Sequence, residues 1–305
     1  MFEILKNPNF DFFSKTRYFI GASLILILAG AAVMSRGVHF GVEFEGGTQV
    51  IARFQQTPDV NSIRGAVPNA TIQGYDAPAK NQVLIRLSGT GAEVDKAAPQ
   101  LLAALASKYP QNPVVESSAE VVGPVVGAEL RKKAVQLTVL GLIFQLIYIA
   151  VRFKGAVWGA AATIAVLHDV LVTLAFLAFF RFELTLNVIA ALLTLVGYSV
   201  NDTIVIFDRA RENLRHKRKD SLRKILNDSL NQTLSRTLIS NGTTFLAVLG
   251  LMFGGEVLRG FAFTMAVGIL VGTYSTIYIA SPFVIWWTDR AAKQQGPGAA
   301  AKAAL

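Results

Sequence analysis

Long apolar runs punctuated by short basic stretches make up most of this chain. One run covers 18–35, directly after Lys15 and Arg17, and five more cover 135–151, 156–180, 184–207, 238–253 and 257–287. A helix needs about 20 mostly apolar residues to cross a hydrocarbon core of about 30 Å. The pattern therefore predicts six spans, one before and five after an intervening segment of ordinary soluble character. In that segment, β-rich character over 38–54 is broken at Gly46-Gly47, and a short helix follows over 59–67. Strands over 70–75 and 81–87 flank a polar turn. A helix over 92–108 has apolar spacing at Val94, Ala98, Leu101, Leu102 and Leu105, and a last strand covers 114–122. The order β-α-β-β-α-β predicts a ferredoxin-like α+β sandwich, and about 85 residues suffice for a small core.

The expected architecture is thus an all-α membrane bundle of six transmembrane helices with this α+β domain between helices 1 and 2. The expected divisions are 1–36 (tail and first helix), 37–133 (the domain), 134–290 (five helices) and 291–305 (an Ala/Gly-rich tail). Composition agrees: 52% of residues are hydrophobic and 16% charged, against about 25% charged in soluble domains. A cleaved signal peptide is the competing reading of 18–35, but its apolar region would be shorter, roughly 7–15 residues. Both readings place the following domain outside.

The net charge of +9 does not point to nucleic acid, because 17 of the 29 Lys and Arg fall in 1–17, 152–156, 208–236 and 288–305, each bordering an apolar run. Basic residues concentrate on the cytoplasmic side of membrane proteins. Both termini and 208–236 are therefore expected in the cytoplasm and the α+β domain on the outer side of the membrane. Arg131-Lys132-Lys133 runs against this rule, although charges beyond a folded domain weigh less in orientation. Arg152 and Lys154 mark the far end of the second span, and Trp286-Trp287 suit an interface. Leu222, Ile225, Leu226, Leu230, Leu234 and Leu238 recur at helical spacing, predicting an amphipathic helix along the cytoplasmic interface that feeds the fifth span; a solvated loop helix has the same pattern. The absence of cysteine removes disulfides and thiolate chemistry.

Ionisable groups inside spans cost about 2.5–3.5 kcal/mol each at the centre, so each needs a reason. Asp202 lies about 7–8 Å of helix rise from the end of its run. Tyr198 is one turn earlier on the same face, and Asn201 and Thr203 flank it. A carboxylate reached by little water can exchange protons near neutral pH; one close to the boundary can simply stay hydrated. Arg236 opens the fifth span, where an Arg near Asp202 would respond to its charge, but spacing alone equally fits an interfacial Arg with its head in water. His168-Asp169 lies midway along the third span, as a packed neutral pair or a proton relay. No metal-ligand set, nucleophile–base pair or phosphate loop is recognisable, so neither an enzyme nor a cofactor is expected.

Four stretches resemble the SecF family, the smaller membrane partner of SecD in bacterial protein export. They are Phe40-Gly41-Val42-Glu43-Phe44-Glu45-Gly46-Gly47-Thr48, Val122-Gly123-Pro124-Val125-Val126-Gly127-Ala128-Glu129-Leu130, the most specific stretch Val196-Gly197-Tyr198-Ser199-Val200-Asn201-Asp202-Thr203-Ile204-Val205-Ile206-Phe207-Asp208-Arg209, and Leu234-Ser235-Arg236-Thr237. The family usually has Asp where this chain has Glu43. The resemblance implies an inner-membrane subunit that, with SecD, uses the proton gradient to help draw polypeptide across the membrane after the SecYEG channel and the SecA motor begin its transport. It puts the family's intramembrane Asp at Asp202 and its functional Arg at Arg236. The junctions at Gly46-Gly47 and Gly123-Pro124, with Gly127 just beyond, are where a hinge between domain and membrane is expected. A proton-driven transporter of small molecules or lipids, of the efflux-pump type, is the main rival. About 95 residues outside the membrane are few for a substrate tunnel. A scaffold without proton chemistry is a third reading.

Overall fold

The computed structural model describes residues 5, 8–68, 70–75, 80–88, 94–153, 156–216, 220–254 and 256–295. Lys154 and the tail from 296 lie outside them, as does the polar turn at 76–79.

The first helix, α1 (Thr16–Met34), follows the basic pair. Half of its large apolar side chains, including Tyr18, Leu24, Ile25 and Leu28, face outward from the protein. That exposure is unfavourable in water but matches lipid. The chain then makes a single helical turn, α2 (Val42–Glu45), where the β-rich character of 38–54 predicts strand. The cause is local. Gly41 enters in an extended conformation, and Gly46 leaves at φ 80°, ψ 155°, a region open to glycine alone, so one turn is cut from the strand and Phe44 is buried.

Strand β1 (Gly47–Phe54) begins immediately after the turn. It is followed by α3 (Val60–Ala66), β2 (Ala70–Tyr75), β3 (Gln82–Ser88), α4 (Val94–Lys108) and β4 (Val114–Val122), close to the predicted bounds. Asp59 caps α3 by accepting from the Asn61 backbone N–H at 3.0 Å and from the Ser62 hydroxyl at 2.6 Å. These bonds hold its carboxyl below the usual range, the one from Ser62 most strongly. The sheet order is β2-β3-β1-β4 with every neighbouring pair antiparallel. Val50, Ala52 and Phe54 alternate inward from β1 onto Ile63 of α3 and Leu101 and Leu105 of α4, forming the domain's own core.

Beyond the sheet come α5 (Pro124–Phe153), α6 (Ala156–Phe179), α7 (Leu186–His216), α8 (Leu222–Met252), α9 (Glu256–Ser275) and α10 (Ser281–Gln295). Among the described residues five stretches are long and apolar enough to cross a membrane: Phe13–Met34, Val125–Ile149, Ala156–Phe179, Leu186–His216 and Leu258–Lys293. The run 238–253 is not among them, since it is the second half of α8, whose first half is polar and whose apolar part carries Ser240, Asn241, Thr243 and Thr244.

Helix lengths account for two puzzles in the charge pattern. At 30 residues α5 is about 45 Å long, well over the ~30 Å core. Arg131, Lys132 and Lys133 therefore occupy its first turns ahead of the apolar part, and Lys133 pairs with Glu129 at 2.9 Å. The domain gives way to helix at Pro124, ten residues before the expected 134, with proline at the first helical position, where its missing N–H costs nothing. Likewise α7 and α8, at 31 residues each, extend about 46 Å. The periodic leucines do not form a separate interfacial helix. They run continuously into the apolar half of α8, with Ile225, Leu226 and Leu230 buried, the two leucines against Phe207 and Ala210 of α7. Asn213 of α7 donates to Ser229 of α8 at 2.8 Å. The N-terminal segment is tied down there too, with Phe10 and Phe12 N–H groups donating to Asn231 and Asn227.

Between α9 and α10, residues Thr276–Ala280 form a π-helical turn. Pro282 has no N–H for the Tyr278 carbonyl, and the wider turn accommodates this while the Ser281 hydroxyl donates to the Thr276 carbonyl at 2.8 Å. Such turns concentrate at functional sites.

Candidate functional site in the helical bundle

Asp202 sits about 24 Å along α7 from Leu186 and is buried with only 7% of its surface exposed. Its carboxylate accepts from Asn241 Nδ2 of α8 at 2.5 Å. The same amide nitrogen donates to Thr273 Oγ1 of α9 at 2.6 Å, and Asn241 Oδ1 accepts from the Tyr198 hydroxyl at 2.9 Å. One asparagine thus joins three helices around a carboxylate. Tyr198 and Asp202, four apart, face it together, as expected for neighbours one turn apart. Asn201 points elsewhere: it is exposed and makes no hydrogen bond among the described residues. Arg236 lies on α8, exposed, within electrostatic reach of Asp202 but without an ion pair to it.

A second polar cluster lies next to the first. On an ideal helix neighbouring side chains diverge by about 100°, yet His168 Nδ1 and Asp169 Oδ1 of α6 meet at 3.1 Å. His168 Nε2 is 3.0 Å from Ser23 Oγ of α1, and Ser23 in turn bonds the Tyr274 hydroxyl, which donates to the Phe19 carbonyl at 2.6 Å. Asp169 Oδ2 accepts from Ser199 of α7 at 2.5 Å. Gly272 lets α9 close on this point, since a Cβ there would stand 3.2 Å from the Cβ of Ser199 and 3.6 Å from Asp169 Oδ2. Thr203 and Thr276 add a bond at 2.9 Å between α7 and the π turn. Ser199 and Asp202, three residues apart on α7, are the step between the clusters. The band therefore crosses α1, α6, α7, α8 and α9.

Asn241, Thr273, Ser199, Ser23 and Tyr274 were not singled out from the sequence. Asn241 and Thr273 sit in apolar runs where a polar side chain needs a partner, and that was the signal available for them.

At the sheet end, the expected hinge residues converge. A Cβ on Gly127 would lie 2.9 Å from Gly46 N and 3.2 Å from the Phe44 carbonyl oxygen, so the start of α5 rests directly on the α2 turn. Gly47 also has positive φ, at 148°, and Gly123 and Pro124 form the β4–α5 junction. A second connection joins domain and bundle. The Leu184 N–H donates to the His39 carbonyl at 2.8 Å, the Gly41 N–H donates to the Leu184 carbonyl at 3.0 Å, and Arg86 of β3 pairs with Glu183 of the α6–α7 link. Burial pushes the Glu183 carboxyl up, Arg86 opposes this, and Glu43 adds to it.

These features define a multi-pass membrane protein with a small sheet domain docked on one end of a helical bundle and ionisable groups inside the bundle. The family model "Protein export membrane protein SecD/SecF, C-terminal" matches residues 103–290, and the SecD/SecF GG motif model matches 31–58. The protein translocase subunit SecF of Gemmatimonas aurantiaca is 40% identical over 95% of this chain and 90% of its own length. That of Escherichia coli O157:H7 is 36% identical over 90% of this chain and 87% of its own length. The crystal structure of SecDF from Thermus thermophilus, described as a translocon-associated membrane protein, superposes with a TM-score of 0.78 at 36% identity over 93% of this chain. This chain spans 39% of that longer one. The chain belongs to the SecF family.

Proposed function

We propose that this chain, an auxiliary subunit of the Sec protein translocase, uses the proton motive force together with SecD to promote late steps of polypeptide export. The observation that carries the proposal is the burial of Asp202 among α7, α8 and α9 with Asn241 as its hydrogen-bonding partner. A carboxyl group so placed is costly to keep there, which makes it a functional-site candidate by default. As a carboxylate, Asp202 only accepts, and the Asn241 amide nitrogen serves it. Once protonated it carries a donor. Turning the Asn241 amide then lets its oxygen accept from Asp202, which releases the Tyr198 hydroxyl and changes the ties between α7 and α8. Arg236 is freed from the carboxylate's field in the same step. One proton crossing 100 mV releases about 2.3 kcal/mol, a bias of nearly two tenfold steps in a two-state population.

The moving part in this reading is the sheet domain, turning about Gly46-Gly47 and Gly123-Pro124 with Gly127 as the bearing point. His168 and Asp169 serve as a relay toward Asp202 through Ser199. SecD supplies the other half of the membrane unit; a relative in which the two are one SecDF chain is 37% identical over 95% of this chain and supports that pairing. SecYEG and the unfolded polypeptide are the remaining partners. We read the membrane part as six spans, α8 included, with the domain in the periplasm and both termini in the cytoplasm. The strand order and helix placement support a ferredoxin-like domain.

Export of a secreted reporter in cells carrying Asp202→Asn, at normal abundance and insertion, tests the reading. Loss of export is expected. Normal export would refute proton coupling at Asp202 and leave a scaffold role, while altered resistance to toxic compounds with export intact would favour the efflux-type reading.

A further inference from the structure

An apolar groove of about 780 Å³ runs down the outside of the bundle between α1, α6 and α10, within the size range of ligand sites. Along α1 it extends from Arg17 past Ile20 and Leu24 to Ile27, about 15 Å of helix rise. That is the depth of one leaflet of a ~30 Å core. Ser23 and His168, 3.0 Å apart, line it at depth. Its charged groups are all at one end: Arg17 at the start of α1, Arg223 in the first turn of α8, and Asp289 in the second half of α10. Arg17 and Arg223 are exposed and have no hydrogen-bond or ion-pair partner among the described residues. Trp286 lines the groove at the same end, with the Arg290 guanidinium 5.6 Å from its ring centroid. Two unpaired guanidinium forks above a leaflet-deep apolar channel match a phosphodiester with its acyl chains, and an indole suits the headgroup level.

We propose that this groove is a binding site for one anionic glycerophospholipid, its phosphate held by Arg17 and Arg223 and an acyl chain lying along α1 down to Ile27. The lone Asp289 weakens but does not cancel the preference, since two arginines face it. The groove reaches the polar band at Ser23 and His168, but the phosphate site lies at its other end and does not require proton coupling at Asp202.

The groove carries its own reporter. Trp158 is fully buried, so in a Trp287→Phe chain quenching by brominated acyl chains reports on Trp286. The full chain is reconstituted in phosphatidylcholine vesicles with a small, equal fraction of brominated phosphatidylglycerol or brominated phosphatidylcholine. Each arginine at an anionic headgroup is worth about fivefold in occupancy. Two of them multiply to about 25-fold and Asp289 offsets part of this, so phosphatidylglycerol should be favoured by roughly 5- to 25-fold, the preference should vanish in Arg17→Gln/Arg223→Gln, and it should partly survive in Arg17→Lys/Arg223→Lys. Equal quenching by the two lipids in the parent chain would overturn the proposal. So would a preference undiminished in the glutamine variant, or loss of quenching by both lipids when the chain is reconstituted with a SecD subunit, which would make the groove a protein interface.

Discussion

Replacing Asn241 by alanine should uncouple the three helices that meet at Asp202. Asn241 makes hydrogen bonds to Asp202, Thr273 and Tyr198 at 2.5, 2.6 and 2.9 Å. Two of these partners keep an alternative, because Thr273 also donates to the Ile269 carbonyl at 2.9 Å and the Tyr198 hydroxyl is 3.4 Å from the Ser240 carbonyl oxygen. Hydrogen bonds between membrane helices average about 0.6 kcal/mol, so those two losses cost about 1 kcal/mol together. Asp202 has no second donor among the described residues. Leaving a buried acceptor unsatisfied costs about 1–3 kcal/mol, more if charged, so the whole change should cost about 2–4 kcal/mol. The informative quantity is the coupling. In an Asp202→Leu background most of that penalty has no acceptor left to act on, so a double-mutant cycle read by denaturant unfolding in mixed micelles should give an interaction of about 1–3 kcal/mol. A value within the additivity limit of about 0.5 kcal/mol would refute the view that Asn241 is the anchor of this carboxylate.

Other expectations follow from the contacts. Arg86→Gln leaves Glu183 buried beside Glu43 without its opposing cation. A carboxyl whose folded pKa is raised favours the protonated form, and the stability it confers is lost as pH rises through that folded value. The variant should thus melt lower than the parent at neutral pH, by roughly 1–3 kcal/mol, and regain much of the loss on acidification; a pH-independent deficit would count against this account. Gly30→Ala puts a Cβ 2.2 Å from that of Ala175, forcing α1 off α6 at about 1–3 kcal/mol, whereas Gly21→Ala meets nothing within 4 Å and should leave thermal unfolding nearly unchanged. Exposed Arg152–Asp208, at 39% and 41% side-chain exposure, should contribute at most about 1 kcal/mol, which a charge-removing pair of variants in the same melt can measure.

Membrane character, the strand and helix order of the sheet domain, and the singular position of Asp202 were all set by the sequence. The reason is that each rests on a local property: run length against bilayer thickness, two-residue or 3.6-residue periodicity, and the cost of a charge in an apolar run. Tertiary structure decided the rest. How the periodic leucines relate to α8 depended on their packing against Phe207 and Ala210 of the neighbouring α7. The turn at Val42–Glu45 replaced predicted strand because Gly46 φ and the seat offered by α5 outweighed β propensity. Most of all, Asp202 finds Asn241 39 positions away on α8, Asp169 finds Ser199 30 positions away on α7, and His168 finds Ser23 145 positions away on α1. A buried polar group must find a donor somewhere in the bundle, so the sequence can require that a partner exist; only the crossing of the helices determines which residue it is.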